Sequence, residues 1–339
     1  VTRRLVLGSF ATAAFGAAGI PPNPFPDMAT LLVGGPGGST PDDWADWLTP
    51  GLGRALPPGT VLRKTVVGGA DGVTAANQFE ARAEPDGSTA LLLPGAAALA
   101  CLTGDPRARF DAGLFVSALA GVTPGLVVSR RSLATVPAAA PLRIGAGHPA
   151  GGDLPAMLAL DLLGIPWMPV FGLDHAQAIH LLADAQVDAV CLRGHNVPAL
   201  LAEAAAAGAV PVFSFGSVDD AGARRRDPAF PDLPCFDEFL AARPAGDEAL
   251  RRAWFATAAA SGLDIALVLP HLTPAALVAQ WRHAAAQAAA TVQAQASAAG
   301  VRALASPAAN GATAALVTDT AAQLALRQWM ARRLDWRPA

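Results

Sequence analysis

The residues best placed to do chemistry lie in two glycine loops. Residues 34–40 read GGPGGST between an apolar run and a helical pattern. Glycines there leave backbone N–H groups open to an anion, and the helix N-terminus that follows adds a favourable dipole. Ser39 and Thr40 add hydroxyl donors. The loop lacks the lysine of a nucleotide-binding P-loop, so the anion it suits is small, such as a carboxylate. Residues 145–153 read GAGHPAGGD. Gly145, Gly147 and Ala150 satisfy the G-x-G-x-x-A spacing of dinucleotide sites. Pro149, however, removes an N–H from the turn, and only Asp174 stands near the place of the ribose-binding acid. A second small-anion loop fits better. The expected ligand contacts are Gly37, Gly38, Ser39 and Thr40 from the first loop and Gly147, His148, Gly151 and Asp153 from the second. Asp153 also has the type and place of a helix N-cap.

Other chemistry finds little support. His148, His175, His180, His195 and His271 form no HExxH or other metal spacing. His175 and His180 are five apart and do not share a helical face. No GxSxG elbow is present. Cys101, Cys191 and Cys235 make no CxxC pair, and Cys191 sits in an apolar run as a buried thiol would. The expectation is a binder with no catalytic residue, no metal and no cofactor. Trp44 and Trp47 are three apart and read as core packing, with an apolar ligand wall as the alternative.

The elements that must position these loops alternate along the chain. Strands are predicted over 29–35, 61–67 and 89–93, with helices opening at Pro41 and Asp42 and again over 73–83. Apolar runs follow at 114–118 and 125–128. A second series predicts strands at 142–146, 168–171, 187–192 and 210–215 and helices at 153–163, 175–183 and 197–207. Residues 216–244 read as loop, 265–269 as a strand, and 274–298 and 318–334 as helices. Such alternation predicts an α/β fold whose mostly parallel sheets are flanked by crossover helices. Both glycine loops then fall at the C-terminal ends of strands, where open α/β sheets hold ligands.

Charge and composition exclude several classes. Net charge is −3, and the densest basic run, 224–226, reads as an exposed turn, so nucleic acid is not an expected partner. Hydrophobic residues reach 53%, largely alanine, yet beyond the N-terminus no stretch of roughly 20 unbroken apolar residues appears. Residues 1–19 have the layout of a secretory signal, with Arg3 and Arg4 ahead of an apolar stretch ending in small residues. The adjacent arginines loosely match the twin-arginine form, with cleavage near Ala18 or Gly19. A proline-rich lead-in follows, and the expected location is the periplasm.

Several blocks in fixed order resemble one family, the substrate-binding proteins of tripartite tricarboxylate transporters (TctC or Bug type). They are LLVGGPGGSTPDDWADWL, VVGGADGVTAANQFEARAEPDGSTALLL, RIGAGHPAGGDLPAMLALDLLGI, MPVFGLDHAQAIHLLADAQVDAV and FPDLPCFDEF, spanning about 29 to 298. The resemblance implies a hinged, two-lobed, type II periplasmic binding fold that closes on a small organic acid. It implies a monomer that serves membrane permease subunits, or a membrane sensor in some members. On that pattern 1–27 is signal and lead-in, 28–125 with 245–339 is lobe one, and 126–244 is lobe two. The match is partial. Gly37 and Gly38 fit the first loop, while Pro41 or Asp42 fills the slot of the family's Asp and Asp46 that of its Arg. In the second loop Pro149 replaces Gly, Ala150 replaces Thr and Asp153 replaces His. Each missing donor weakens carboxylate binding, which turns the expectation toward a less acidic or more apolar solute.

Overall fold

The computed structural model describes residues 25–219, 223–241 and 246–337. The signal-like segment 1–19 lies outside these residues. Among them no helix is long and apolar enough to cross a membrane.

The first series builds β1 (Met28–Gly34), α1 (Thr40–Ala55), β2 (Val61–Val67), α2 (Val73–Arg82), β3 (Thr89–Pro94), α3 (Gly95–Thr103) and β4 (Val116–Val122). The second builds β5 (Gly125–Ser129), β6 (Leu142–Gly145), α4 (Leu154–Leu162), β7 (Trp167–Val170), α5 (His175–Ala183), β8 (Ala189–Arg193), α6 (Val197–Ala206) and β9 (Val210–Ser214). A short hairpin, β10 (Ser217–Val218) and β11 (Arg224–Arg225), leads to α7 (Phe236–Ala241) and α8 (Glu248–Gly262). The chain then returns through β12 (Leu263–Leu269), α9 (Ala275–Ala298), β13 (Arg302–Ala305), α10 (Ala308–Ala314) and α11 (Thr320–Arg333).

Besides the two-stranded hairpin, two larger sheets result, one per lobe. The first has the order β13-β4-β12-β3-β1-β2, and the second β7-β6-β8-β5-β9. In the first, β1 pairs parallel with β2 and β3, while β12 inserts antiparallel between β3 and β4. In the second, β6 pairs parallel with β7 and β8, and β5 runs antiparallel to β8 and β9. The chain crosses between lobes at 122–125, where the Thr123 N–H donates to the Gly262 carbonyl at 2.8 Å.

Close packing explains several small residues. Trp44 of α1 is fully buried under β4, and a side chain at Gly121 would meet its indole at 2.5 Å. Trp44 thus fills core, and Trp47 packs half-buried against the same core. The loop expected over 216–244 is instead partly ordered as a hairpin and a helix. Nor is Arg224 on an exposed turn. Its guanidinium lies over the Trp254 and Phe255 rings at 5.1 and 4.9 Å and donates to the Phe215 carbonyl at 2.9 Å. Aromatic faces stabilise a desolvated guanidinium, which is why Arg224 is drawn inward while Arg225 and Arg226 stay exposed. Cys191 is buried as expected, and burial pushes its thiol pKa well up.

Candidate ligand-binding cleft

A cavity of about 510 Å³ opens between the two lobes. That size suits a small metabolite. It lies where β1, β3, β6 and β8 end, as open α/β sheets dictate. Of the expected contacts, Ser39, Thr40, His148 and Gly151 line it. Gly37, Gly38, Gly147 and Asp153 are not part of its lining: Gly37 and Gly38 are exposed, and Asp153 is buried.

The reason is that each loop closes on its own carboxylate. Asp42 Oδ2 accepts the Gly38 N–H at 2.9 Å, and Lys64, the only lysine, bridges to Asp42 Oδ1 at 2.9 Å. The Gly38 bond, then Lys64, holds the Asp42 carboxyl below its usual range. Asp153 Oδ2 accepts the Gly147 N–H at 2.9 Å. Asp153 occupies the N-cap position of α4, but its side chain turns back to the loop and caps nothing. The Gly151 N–H donates to the His148 carbonyl at 2.9 Å, and the Ala150 N–H donates to His148 Nδ1 at 3.1 Å. The Ser39 hydroxyl donates to the Pro36 carbonyl at 2.6 Å. So the open nests foreseen from the glycines are in part satisfied turns. Among the described residues, the N–H groups of His148 and Gly152 and the Thr40 hydroxyl take no protein partner.

The structure adds a cation that the sequence did not single out. Arg193 ends β8 and lines the cavity. Its Nε donates to Asp153 Oδ1 at 3.0 Å, and its guanidinium lies flat against Gly152, where a Cβ would sit 2.3 Å from Cζ. Burial opposes the charge, but the Asp153 carboxylate and Cys191 together outweigh it and the pKa is raised. The two Nη groups donate to nothing among the described residues. A guanidinium with a free edge is matched to a carboxylate. The signal in the sequence was a lone charge closing an apolar strand at a ligand-bearing edge.

The opposite wall is acidic. Arg107 Nη2 reaches Asp71 Oδ2 and Asp105 Oδ2, both at 2.6 Å, and the Asp105 pKa is lowered chiefly by its bond to Arg107. At the hinge, Asp264 Oδ2 accepts from Trp44 Nε1 at 2.9 Å and sits 2.6 Å from His195 Nε2. That contact joins lobe two to β12 of lobe one. Ser261 Oγ donates to the Gly152 carbonyl at 2.6 Å, tying the end of α8 to the second loop. Trp336, beyond α11, also lines the cavity.

No protein-family model and no curated protein matches the chain. Solved structures do. A TctC solute-binding protein from Polaromonas, without ligand, aligns at TM-score 0.64 and 15% identity over 90% of this chain and 98% of its own. An R. palustris protein solved with adipate aligns at 0.51 and 15% over 91% and 97%. A structure described as a periplasmic transporter aligns at 0.50 and 16% over 91% and 96%. At such identities the likeness speaks for the fold. The chain has the two-lobed fold of the Polaromonas solute-binding protein, along nine-tenths of its length.

Proposed function

We propose that the chain is an extracytoplasmic solute-binding protein that captures a small organic acid between its lobes. The observation that carries this reading is Arg193, a cation with free donors on the cavity wall, flanked by the unpartnered N–H groups of His148 and Gly152. Thr40 offers a hydroxyl from the facing lobe. Contacts from both lobes favour the closed form, so ligand would shift the hinge by differential affinity. The reading takes 28–125 with 245–339 as lobe one and 126–244 as lobe two. Periplasmic residence and delivery to the membrane subunits of a tripartite tricarboxylate-type transporter complete it. The solved relative with adipate and the resemblance of the loop blocks support this assignment. A thermal-shift screen of organic acids, followed by calorimetry, tests it. Stabilisation by at least one small acid is expected, and none at millimolar concentration with folded protein would overturn it.

A further inference from the structure

We propose that Trp336 is a specificity-determining residue of the cleft, and that the solute it selects is a flat aromatic monocarboxylate rather than an aliphatic dicarboxylate. This rests on the carboxylate reading above. Trp336 belongs to the segment after α11, far in sequence from either glycine loop, yet it lines the cavity with His148. Their ring centroids are 6.4 Å apart at 87°, an edge-to-face pair. Apart from these two, no aromatic side chain among the described residues lines the cavity, and the chain has no tyrosine. Leu99 and Pro94 of lobe one supply further apolar surface.

The charges are arranged unequally around that wall. Arg193 and the aromatic pair share the 148–152 loop: Gly152 abuts the guanidinium and His148 abuts Trp336. Arg193, His148, Gly152 and Trp336 all line the same cavity of about 510 Å³. A carboxylate on Arg193 leaves the body of the solute beside the indole. Its far end then meets lobe one, where Asp71 and Asp105 share Arg107, and the hinge, where Asp264 lies. A second carboxylate there would face acids whose cation is already engaged. A neutral ring meets no such repulsion, and ring contacts add to its burial.

Calorimetry with benzoate and adipate on the full chain tests this, using wild type, Trp336→Ala, Trp336→Phe and His148→Ala. Benzoate should bind more tightly than adipate. Trp336→Ala should weaken benzoate about three- to tenfold and leave adipate within twofold. Trp336→Phe should retain most benzoate affinity, and His148→Ala, which removes the other ring, should weaken benzoate selectively. Circular dichroism melts establish that each variant is folded. Tighter adipate binding, or equal losses for both acids in the alanine variants, would overturn the inference while leaving the carboxylate reading intact. If neither these acids nor any other binds wild type, both fall.

Discussion

At the scale of single residues, Arg193 and Asp153 act against each other on the ligand while supporting each other in the fold. Asp153 holds the Arg193 Nε and closes the second loop through Gly147, so it fixes the guanidinium but offsets its charge. Arg193→Gln should reduce affinity for an acid ligand about ten- to a hundredfold, the worth of a charged hydrogen bond. Asp153→Asn should do the opposite to affinity, raising it severalfold because the cation is left without its counter-charge, and should lower the melting temperature. Calorimetry and thermal melts on the same two variants check both signs. The sequence marked Asp153 and His148 because they sit in a glycine loop. It did not mark Arg193, since its partner lies 40 residues away. Trp336 escaped notice for the same physical reason. A tail residue becomes part of a site only through tertiary packing, and no local period reveals that.

At the scale of elements, most segments were legible, the buried strands β1, β3 and β12 and the buried helix α4 among them, whereas helix α3 was not. Strand β2 and helix α5 fall where periodicity puts them. Helix α3 did not announce itself, because GAAALACLT is apolar around its whole circumference and follows directly on the apolar strand β3, with no stripe or polar break to mark where the strand ends. Its packing is correspondingly tight. A Cβ on Gly95 would stand 2.1 Å from the Ala260 carbonyl oxygen and 2.3 Å from that of Leu263. Gly95→Ala should therefore cost about 3 kcal/mol in urea unfolding, since backbone and not a pliable side chain must give way. Helix α11 spans both lobes. Arg327 donates to the Cys101 carbonyl of lobe one at 3.0 Å. One helical stretch further, Trp329 Nε1 and Arg333 Nε reach Asp161 of α4 in lobe two at 2.6 and 3.0 Å. Trp167 Nε1 adds a third bond to the same carboxylate at 2.9 Å. Asp161→Ala strands three donors and should cost about 2–3 kcal/mol, read by the same unfolding experiment.

At the scale of the whole molecule, the lobes meet through a titratable contact. The hydrogen bond to Asp264 raises the His195 pKa above the ordinary imidazole value of 6.5, against a smaller opposing effect of burial. The folded state therefore favours the imidazolium. Its contribution is complete below about pH 6.5 and fades as pH climbs through the raised value. Melting temperature should fall across that window by about 2 °C more in wild type than in His195→Ala, measured by calorimetric scans in matched buffers. The neighbouring bond from the Asn196 N–H to the Ala299 carbonyl, at 3.1 Å, carries no such dependence. Two lobes and their order were foreseeable from the repeated alternation of strand and helix. A return of the chain to finish lobe one was foreseeable in general, since chain ends tend to lie close together, but nothing in LDIALVL says which strands it will separate. That insertion of β12 has a consequence for synthesis. Strands β5 to β9 are contiguous and can complete their sheet as soon as they leave the ribosome. Strands β3 and β4 emerge more than 140 residues before the strand that joins them, and until then both present bare edges. Vectorial synthesis thus delivers a finished second lobe attached to an incomplete first one, and the interval suits a chain that must stay unclosed, or be guarded, until its last third arrives.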